Sequence, residues 1–247
     1  MRNYKEEFEK RIAFIRELVA SSGSRGIIYG NSGGKDSALV GALCKAACPD
    51  TLGVIMPCES ARNFGEDTNH AILAAEHFGI EYRTVDLTSA KAAIVESLSG
   101  VAELNSAALT NIAPRLRMTT LYAIGAAEGR LVAGTGNRSE RYMGYFTKYG
   151  DGACDFNPIA DLTVREVYEF LTYLGAPECI IKKAPSAGLF DGQTDEAEMG
   201  VSYDAIDDYL LFGKVNDTDK AIIDRYHKRS AHKLKMPALY KDTNDAE

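Results

Sequence analysis

The sequence has no long apolar run of the kind that crosses a membrane. None of its 247 residues lies in an uninterrupted apolar stretch of about 18 residues. The first residues, MRNYKEEFEKRIAF, contain no apolar centre like that of a signal peptide. These absences argue against a membrane protein and against a secreted one, so a cytoplasmic location is expected.

Cysteine is also scarce, and its spacing excludes the common metal and redox motifs. The five cysteines form no Cys-x-x-Cys pair, which argues against a zinc ribbon and against a redox dithiol. We expect them to be small apolar residues of a reduced protein. They are Cys44, Cys48, Cys58, Cys154 and Cys179.

An excess of positive charge is missing too. Aspartate and glutamate (35) outnumber lysine and arginine (28), which gives a net charge of −7. This balance argues against general nucleic-acid binding, which needs a basic surface. Polyanionic small molecules would need local groups of cations, and such groups occur at Lys148, at 182–183 and at 227–235.

The sequence does contain a regular alternation of strand-like and helix-like segments. Short apolar runs beside glycine are typical of buried parallel strands, and apolar residues three or four apart are typical of helices. Their alternation predicts an α/β fold, a doubly wound parallel sheet with helices on both faces. Because we find no internal repeat and no linker, a single domain over residues 1–247 is expected. The predicted strands are 26–30, 52–56, 81–87 and 130–137, and the predicted helices are 4–20, 36–47, 66–78, 103–129 (bent or broken near Pro114), 163–174, 203–212 and 217–229.

The first predicted strand runs into the segment GNSGGKDS at 30–37. Open α/β sheets bind ligands at the carboxyl ends of their strands, where this segment lies. Gly33 and Gly34 allow a phosphate to approach the backbone, and the helix start that follows offers free N–H groups. Lys35 adds a positive charge, whereas Asp36 suits an anion site only if a divalent cation lies between it and the phosphates.

Two interpretations of this segment remain open from the residues alone: a phosphate site, and a tight connection that binds nothing. The segment is not a Walker A loop, because Tyr29 occupies the first-glycine position and Asp36 follows the lysine. It is not the dinucleotide fingerprint G-x-G-x-x-G either. Ser32, Ser37 and Asp36 are more than a tight turn needs, which favours the phosphate site.

The letters SGGKDS resemble the pyrophosphatase loop, SGGxDS, of the N-type ATP pyrophosphatase superfamily. Enzymes of that group adenylate a carboxyl or carbonyl oxygen and hold the departing pyrophosphate in this loop. They include the amidating domain of GMP synthetase, asparagine synthetase and several tRNA-modifying enzymes. The loop alone does not choose among them.

Three further segments are similar to the NAD synthetase family in its short, ammonia-dependent form. They are NIAPRLRMTTLY at 111–122, GTGNRSERYMGYFTKYGDGACDFNP at 134–158 and KKAPSAGLFDGQTDEAEMGVSYDAIDDYL at 182–210. The resemblance implies a Rossmann-like fold of the adenine nucleotide alpha-hydrolase type. It implies ATP-dependent amidation of deamido-NAD with ammonia to NAD, the last step of NAD biosynthesis. This reaction passes through an acyl-adenylate and releases AMP and diphosphate.

The same resemblance implies Mg²⁺ as the cofactor, small-molecule substrates and a homodimer with sites near the subunit interface. The chain leaves no room for the amidase domain of glutamine-dependent members, and no membrane or nucleic-acid partner is expected. By position in the family's motifs, Asp36 and Glu140 bind the metal. ATP contacts are expected from Gly30, Asn31, Ser32, Gly33, Gly34, Lys35, Asp36, Ser37, Thr135 and Ser186, and deamido-NAD contacts from Arg115, Lys148, Asp155, His232 and Lys233.

One position departs from the family pattern, and one catalytic role rests on chemistry. Many members have a lysine that contacts an ATP phosphate where this chain has Val164, so that only the position is shared. Either Arg165 or Lys35 compensates for the missing charge, or the enzyme holds ATP with one fewer cation at this place. Asp36 and Asp151 are the predicted catalytic residues. Asp151, in KYGDG, is placed to hold ammonium and accept its proton.

Six of the roles outside the first loop also have a plain structural alternative. An acidic residue near arginines can simply form a surface ion pair, and a loop aspartate can cap its own turn. A cation on an exposed helix, loop or tail can be solvated without any ligand. These alternatives apply to Glu140 (beside Arg138 and Arg141), Asp151, Arg115, Lys148, His232 and Lys233.

Two other functions compete with the ligase on the same scaffold. Another adenylating enzyme, such as a GMP synthetase fragment or a tRNA thiolase, would share the loop. A thiolase usually needs paired cysteines or a basic RNA surface, and this sequence has neither. A nucleotide-binding sensor without turnover would need no pair of metal-binding carboxylates and no second substrate pocket.

Overall fold

A computed structural model describes residues 2–183 and 194–240, and a sheet of four parallel strands forms its centre. The strand order is β3-β2-β1-β4. An isolated parallel bridge between Ala133 and Phe156 adds one more chain segment beside β4. The strands are β1 (Gly26–Gly30), β2 (Thr51–Ile55), β3 (Glu81–Thr84) and β4 (Arg130–Ala133).

Helices connect the strands, as the crossovers of a parallel sheet require. A π-helical turn (Asn63–Asp67) precedes α3, and a 3-10 turn (Ala231–Leu234) follows α12. Within the described ranges, none of the helices is long and apolar enough to cross a membrane. They are α1 (Tyr4–Ser22), α2 (Lys35–Ala47), α3 (Thr68–His77), α4 (Thr88–Ser97), α5 (Ser106–Thr110), α6 (Ile112–Glu128), α7 (Arg138–Met143), α8 (Val164–Tyr173), α9 (Glu178–Ile181), α10 (Asp195–Met199), α11 (Tyr203–Phe212) and α12 (Asp217–Ser230).

The helices cover both faces of the sheet, because alternate residues of a strand point to opposite sides. Ile27 and Tyr29 of β1 pack in one core with α1, α2 and α8. Ile28 of the same strand packs on the other side with Leu52, Val132 and α6. The doubly wound α/β fold predicted from the sequence is therefore confirmed.

A third apolar cluster joins α7, α8, α11 and α12 beside the loop that follows β4. Met143, Tyr203 and Ile206 are buried in this cluster. Its packing anchors the short helix α7, which has too few residues to be stable alone. The side chains of α7 are therefore held at a defined place relative to the sheet.

Predicted and observed boundaries differ where turns begin. The predicted helix 103–129 is divided at Asn111 into α5 and α6. Pro114 lies in the first turn of α6, where its missing N–H costs no helix hydrogen bond. The predicted strand 130–137 ends at Ala133, because the next residues turn to begin α7. Strand 81–87 ends at Thr84, and helix 66–78 ends at His77.

The cysteines are free thiols, and most of them lie inside the molecule. Cys44, Cys48 and Cys58 are buried, whereas Cys179 is exposed. Burial raises the pKa of the Cys44 thiol and of the Cys58 thiol. A thiol with a raised pKa is a weak nucleophile, which agrees with a packing role.

Candidate active site

A cavity of about 1000 Å³ opens at the carboxyl edge of the sheet. Gly30 of β1, Met56 after β2 and Gly134 after β4 line its base. Its walls come from α6, α7, the loop 144–147 and the end of α12. A cavity of this size holds nucleotide-sized ligands, and it lies where open α/β sheets bind them.

The loop Gly30–Ser37 connects β1 to α2 along this cavity. Gly34 is the N-cap of α2, so the N–H groups of the first helical turn are free to bind an anion. Gly33 has a φ of +72°, and a Cβ there would lie 2.2 Å from the backbone oxygen of Asp67. Glycine is required at this position because the neighbouring turn leaves no room for a side chain.

Two carboxylates and one ammonium group meet beside this loop. Lys35 Nζ lies 2.7 Å from Asp36 Oδ2 and 3.8 Å from Glu140 Oε1. Burial alone would lower the pKa of Lys35, but the charges of Asp36 and Glu140 outweigh burial and raise that pKa. Burial, followed by the charge of Asp36, raises the pKa of Glu140 well above its usual range. The cluster therefore favours an additional positive charge.

Asn137 brings the two carboxylates together. It is the N-cap of α7, where its Oδ1 accepts the Glu140 N–H at 3.0 Å and its own N–H donates to Glu140 Oε2 at 3.2 Å. Its Nδ2 also donates to Asp36 Oδ1 at 3.0 Å. This capping box fixes Glu140 at the start of α7 and points it toward the loop after β1.

The donor chemistry of this pair fits a hard divalent cation. Asp36 and Glu140 offer carboxylate oxygens. The pKa of Glu140 is raised first by burial and then by the charge of Asp36, and a bound cation would offset both effects. In the described ranges, no group of three or more acidic, histidine or cysteine side chains could hold a metal ion. A cation here would need water and phosphate oxygens as its other ligands, which is the coordination that Mg²⁺ prefers.

A second acidic side chain, Asp151, faces the cavity from the loop after α7. The Thr147 N–H donates to Asp151 Oδ1 at 2.9 Å, and Thr147 Oγ1 donates to Asn111 Oδ1 at 2.5 Å. Asp151 is exposed to solvent as a whole residue, although protein atoms crowd its carboxyl group. This crowding removes water from the carboxylate and raises the pKa of Asp151, although the Thr147 hydrogen bond and the charge of Lys233 oppose the shift. The raised pKa brings this carboxylate closer to the range of a general base than that of an unperturbed aspartate.

The sequence model described as NAD synthase matches residues 7–244. The chain belongs to this family. The curated relative from Carboxydothermus hydrogenoformans, an NH(3)-dependent NAD(+) synthetase, is 48% identical over 240 residues, which are 96% of this chain and 98% of that protein. The chain is therefore an ATP-dependent carbon–nitrogen ligase of a family whose members amidate deamido-NAD to NAD.

Solved structures of full length agree with this assignment. The chain overlays on an NMN synthetase from Francisella tularensis with a TM-score of 0.92 at 37% identity. It overlays on an NH3-dependent NAD synthetase from Campylobacter jejuni with a TM-score of 0.80 at 32% identity. Each comparison covers 98% of this chain and 100% of the other.

Within this family frame, most of the predicted ATP residues lie on the cavity. The loop Gly30–Ser37 lines it except at Gly33, which packs against the turn before α3 instead. Thr135 lines it from the end of β4. Ser186 lies outside the described residues.

The structure also locates Val164, the position that departs from the family pattern. Val164 is buried in the apolar cluster of α7, α8, α11 and α12, away from the cavity. The neighbouring Arg165 turns to the surface, where its guanidinium pairs with Asp208 at 2.9 Å and with Asp204 at 3.4 Å. Arg165 is therefore not placed to replace the missing lysine, because its charge is used elsewhere.

The predicted deamido-NAD residues divide into a rim group and one distant residue. His232 and Lys233 line the cavity. Arg115 donates to the Lys148 carbonyl oxygen at 3.3 Å, and Lys148 Nζ donates to the His232 carbonyl oxygen at 3.0 Å, so these three residues are linked at the rim. Asp155 does not line the cavity of this chain: its carboxylate accepts hydrogen bonds from the Val132 N–H at 2.7 Å and from the Tyr122 hydroxyl at 3.1 Å.

Several cavity residues were not predicted from the sequence. Arg117, the second arginine of RLRM, donates to the Met56 carbonyl oxygen at 3.1 Å and to Asn63 Oδ1 at 3.0 Å. Asp67 and Lys183 form an ion pair at 2.7 Å. Helical spacing could have drawn attention to Arg117. Arg115 and Arg117 are two residues apart on one helix and so face different directions, which makes each arginine a separate candidate for the cavity. The Asp67 and Lys183 pair has no local signal, because 116 positions separate the two residues.

Proposed function

We propose that the family reaction takes place in this cavity, with ATP on the Gly30–Ser37 loop, and that Asp36 and Glu140 would hold Mg²⁺. The observation that carries this proposal is the meeting of these two carboxylates beside Lys35, which the Asn137 capping box enforces. A nucleotide-binding sensor needs no such pair. When bound, Mg²⁺ would neutralise charge on the phosphate oxygens of ATP.

In the first step, the nicotinate carboxylate of deamido-NAD attacks the α-phosphorus of ATP, and pyrophosphate leaves. The chain assists by stabilising the leaving group. The free N–H groups at the start of α2 and the charge of Lys35 face the oxygens on which negative charge builds. The cavity also holds two large substrates in fixed orientation, which lowers the entropic part of the barrier.

In the second step, ammonia attacks the acyl carbon of the adenylate, and AMP leaves. At neutral pH most ammonia is ammonium, so a proton must be removed before the attack. Asp151 is the proposed acceptor, because it faces the cavity and burial raises its pKa. Thr147 holds the carboxylate in place through its backbone N–H.

The acceptor itself has two candidates. Deamido-NAD is the acceptor that the family description supports, with Arg115, Lys148, His232 and Lys233 as its contacts. The likeness to an NMN synthetase from Francisella tularensis favours nicotinate mononucleotide, the deamido form of NMN, as a second candidate. The ratio of kcat/KM for the two acceptors decides between them.

We also infer that the enzyme acts as a cytoplasmic homodimer with its sites near the subunit interface. The segment after His232 and Lys233 exposes large apolar side chains, which a partner subunit would cover. Met236, Leu239 and Tyr240 are 87%, 79% and 94% exposed. Asp155 and Ser186 remain proposed contacts of the substrates in that assembly.

One assay tests the proposed reaction against its rivals. The purified chain is incubated with ATP, Mg²⁺, ammonium and deamido-NAD, and in a parallel reaction with nicotinate mononucleotide instead of deamido-NAD, and the products are separated by chromatography. NAD and AMP in equal amounts are expected. Formation of ADP, or the absence of turnover with either acceptor, would overturn the proposal. Omission of Mg²⁺ with a chelator present should stop product formation.

A further inference from the structure

The ammonium group of Lys183 lies against the back of the pyrophosphate loop. Lys183 Nζ donates to the Gly33 carbonyl oxygen at 3.3 Å and to Asp67 Oδ1 at 2.7 Å. Its side chain is 9% exposed, and it lines the cavity. This cation is thus held next to the one residue of the loop that turns away from the cavity.

The hydrogen-bonding capacity of Lys183 is not exhausted by these contacts. An ammonium group has three N–H donors, and Gly33 and Asp67 use two of them. In the part of the chain that the structure describes, the third donor has no partner. It is available to an oxygen atom in the cavity.

Asp67 does not depend on Lys183 alone for its stability. Asn63 Nδ2 donates to Asp67 Oδ2 at 2.9 Å, and Arg62 Nε lies 3.4 Å from Asp67 Oδ1. Lys183 can therefore bind a second anion while Asn63 and Arg62 still stabilise the Asp67 carboxylate. A purely structural ion pair would not need this support.

Lys35, the cation within the loop, also faces the carboxylates of Asp36 (2.7 Å) and Glu140 (3.8 Å), so only part of its charge is available to a phosphate. Val164 carries no charge, and Arg165 pairs with acidic residues of α11 at the surface. Without a further cation, the negative charge of a departing pyrophosphate would therefore be only partly neutralised on the Gly33 side of the loop.

From these observations, and resting on the proposed function, we infer that Lys183 is a further pyrophosphate-binding residue. Its third N–H binds a phosphate oxygen of ATP and of the departing pyrophosphate. Its charge replaces the lysine that is absent at Val164. Asp67 and Gly33 hold the ammonium group in position for this contact.

The test compares Lys183→Gln with Lys183→Arg and with Lys182→Gln as the matched control. Glutamine keeps N–H donors for Asp67 and Gly33 but removes the charge, and arginine keeps the charge. Lys182 is the neighbouring lysine, 72% exposed and paired with Glu178. Calorimetric titration of inorganic pyrophosphate into each enzyme with Mg²⁺ measures the affinity without turnover.

We expect Lys183→Gln to weaken pyrophosphate binding and raise KM for ATP by about tenfold or more, the effect of one charged hydrogen bond. KM for deamido-NAD should stay near the wild-type value, and Lys183→Arg should recover most of the loss. Unchanged pyrophosphate affinity in Lys183→Gln, with unchanged Lys182→Gln, overturns the inference. If the wild type binds pyrophosphate but makes no NAD, the proposed function fails while this comparison still stands.

Asp67→Asn separates binding from a structural role and serves if Lys183→Gln fails to fold. This variant removes the negative charge of Asp67 but keeps a side-chain oxygen that can accept from the Lys183 ammonium group, so the ammonium group keeps its position beside Gly33. If Lys183 binds pyrophosphate, Asp67→Asn retains wild-type affinity or exceeds it. If Lys183 only anchors Asp67, Asp67→Asn loses pyrophosphate affinity as well, and the inference is wrong.

Discussion

At the scale of single residues, the charged form of Glu140 is unfavourable in the absence of ligands. Its carboxylate is buried beside Asp36, and both effects raise its pKa. A carboxyl group in an unfolded chain titrates at about 4.3. The folded state therefore binds this proton more tightly than the unfolded state does. Its contribution to stability is present at low pH and is lost as pH rises through the folded pKa.

Glu140→Gln should consequently stabilise the metal-free protein at neutral pH while abolishing most activity. Glutamine keeps an acceptor for the Asn137 N–H but carries no charge. Urea unfolding with a chelator present, from pH 4 to pH 8, measures the effect. The difference from wild type should grow as pH rises and vanish near pH 4. Glu76→Gln, on the exposed face of α3, should follow the wild-type profile. A Gln variant less stable than wild type at neutral pH would contradict this account.

Asp151→Asn addresses the proton acceptor at the same scale. Because asparagine cannot accept the proton of ammonium, the ammonia-dependent rate should fall by about 100-fold, the usual size of a general-base effect. Exchange of labelled pyrophosphate into ATP, which reports the first step alone, should change little. Asp224→Asn, an exposed aspartate of α12 paired with Lys220, is the control. A wild-type rate and a wild-type KM for ammonium in Asp151→Asn would rule out this role.

At the scale of elements, two capping boxes of the same design have different duties. Asn137 begins α7 and also holds Asp36, whereas Thr163 begins α8 and holds only Glu166 of its own helix. Both cap side chains are fully buried. The fold thus uses one local device for stability alone and the other for stability and site geometry together.

Asn137→Ala and Thr163→Ala should therefore lose similar stability but differ in activity. Each loses a cap worth about 1–2 kcal/mol of unfolding free energy. Only Asn137→Ala removes a side chain that holds both Asp36 and Glu140 in place. This variant alone should therefore raise KM for ATP and the Mg²⁺ concentration needed for half-maximal activity. Thermal unfolding and initial rates measure the two effects. Equal losses of activity in both variants would show that the capping box has no special role in the site.

The elements themselves could be predicted well, because their signals are local. The strand at 26–30 and the helix at 203–212 have the predicted bounds, since glycine marks both ends of the strand, and Ser202 and Gly213 cap the helix. The loop Gly30–Ser37 and the carboxylates Asp36 and Glu140 could be singled out from motif letters. The position of Arg165 could not be predicted, because its pairing with Asp204 and Asp208 depends on how α8 meets α11.

The same limit applies to other contacts near the site. Asp155 lies beside β4 in this chain, where it bonds the Val132 N–H, and nothing in KYGDGACDF marks that contact. Asp67 and Lys183 meet across 116 positions. A motif tells which residue types belong together, whereas tertiary packing decides which atoms are within reach. Local patterns in one sequence carry little information about tertiary packing.

At the scale of the whole molecule, the proposed homodimer makes a direct prediction. Light scattering after gel filtration should give a mass near twice the 26.9 kDa of one chain. Met236→Glu with Leu239→Glu places charges on the exposed apolar segment and should shift the protein toward the monomer. Glu9→Gln with Glu17→Gln, on exposed positions of α1, is the control pair. A monomeric wild type would remove the basis for shared sites.

The ion pair between Lys183 and the loop before α3 also sets the order in which the molecule can mature. Its partners lie 116 and 150 positions away in the chain, so the contact cannot form until Lys183 has been synthesised. Contacts between residues so far apart in sequence form late, because closing the long loop between them costs entropy before the contact contributes any stabilising free energy. A ribosome-bound chain that ends after β4 contains all four strands of the sheet but lacks Lys183 and its contacts with Asp67 and Gly33. Capture of a fluorescent ATP analogue would then mark the completion of folding and distinguish a finished molecule from one that merely has its sheet.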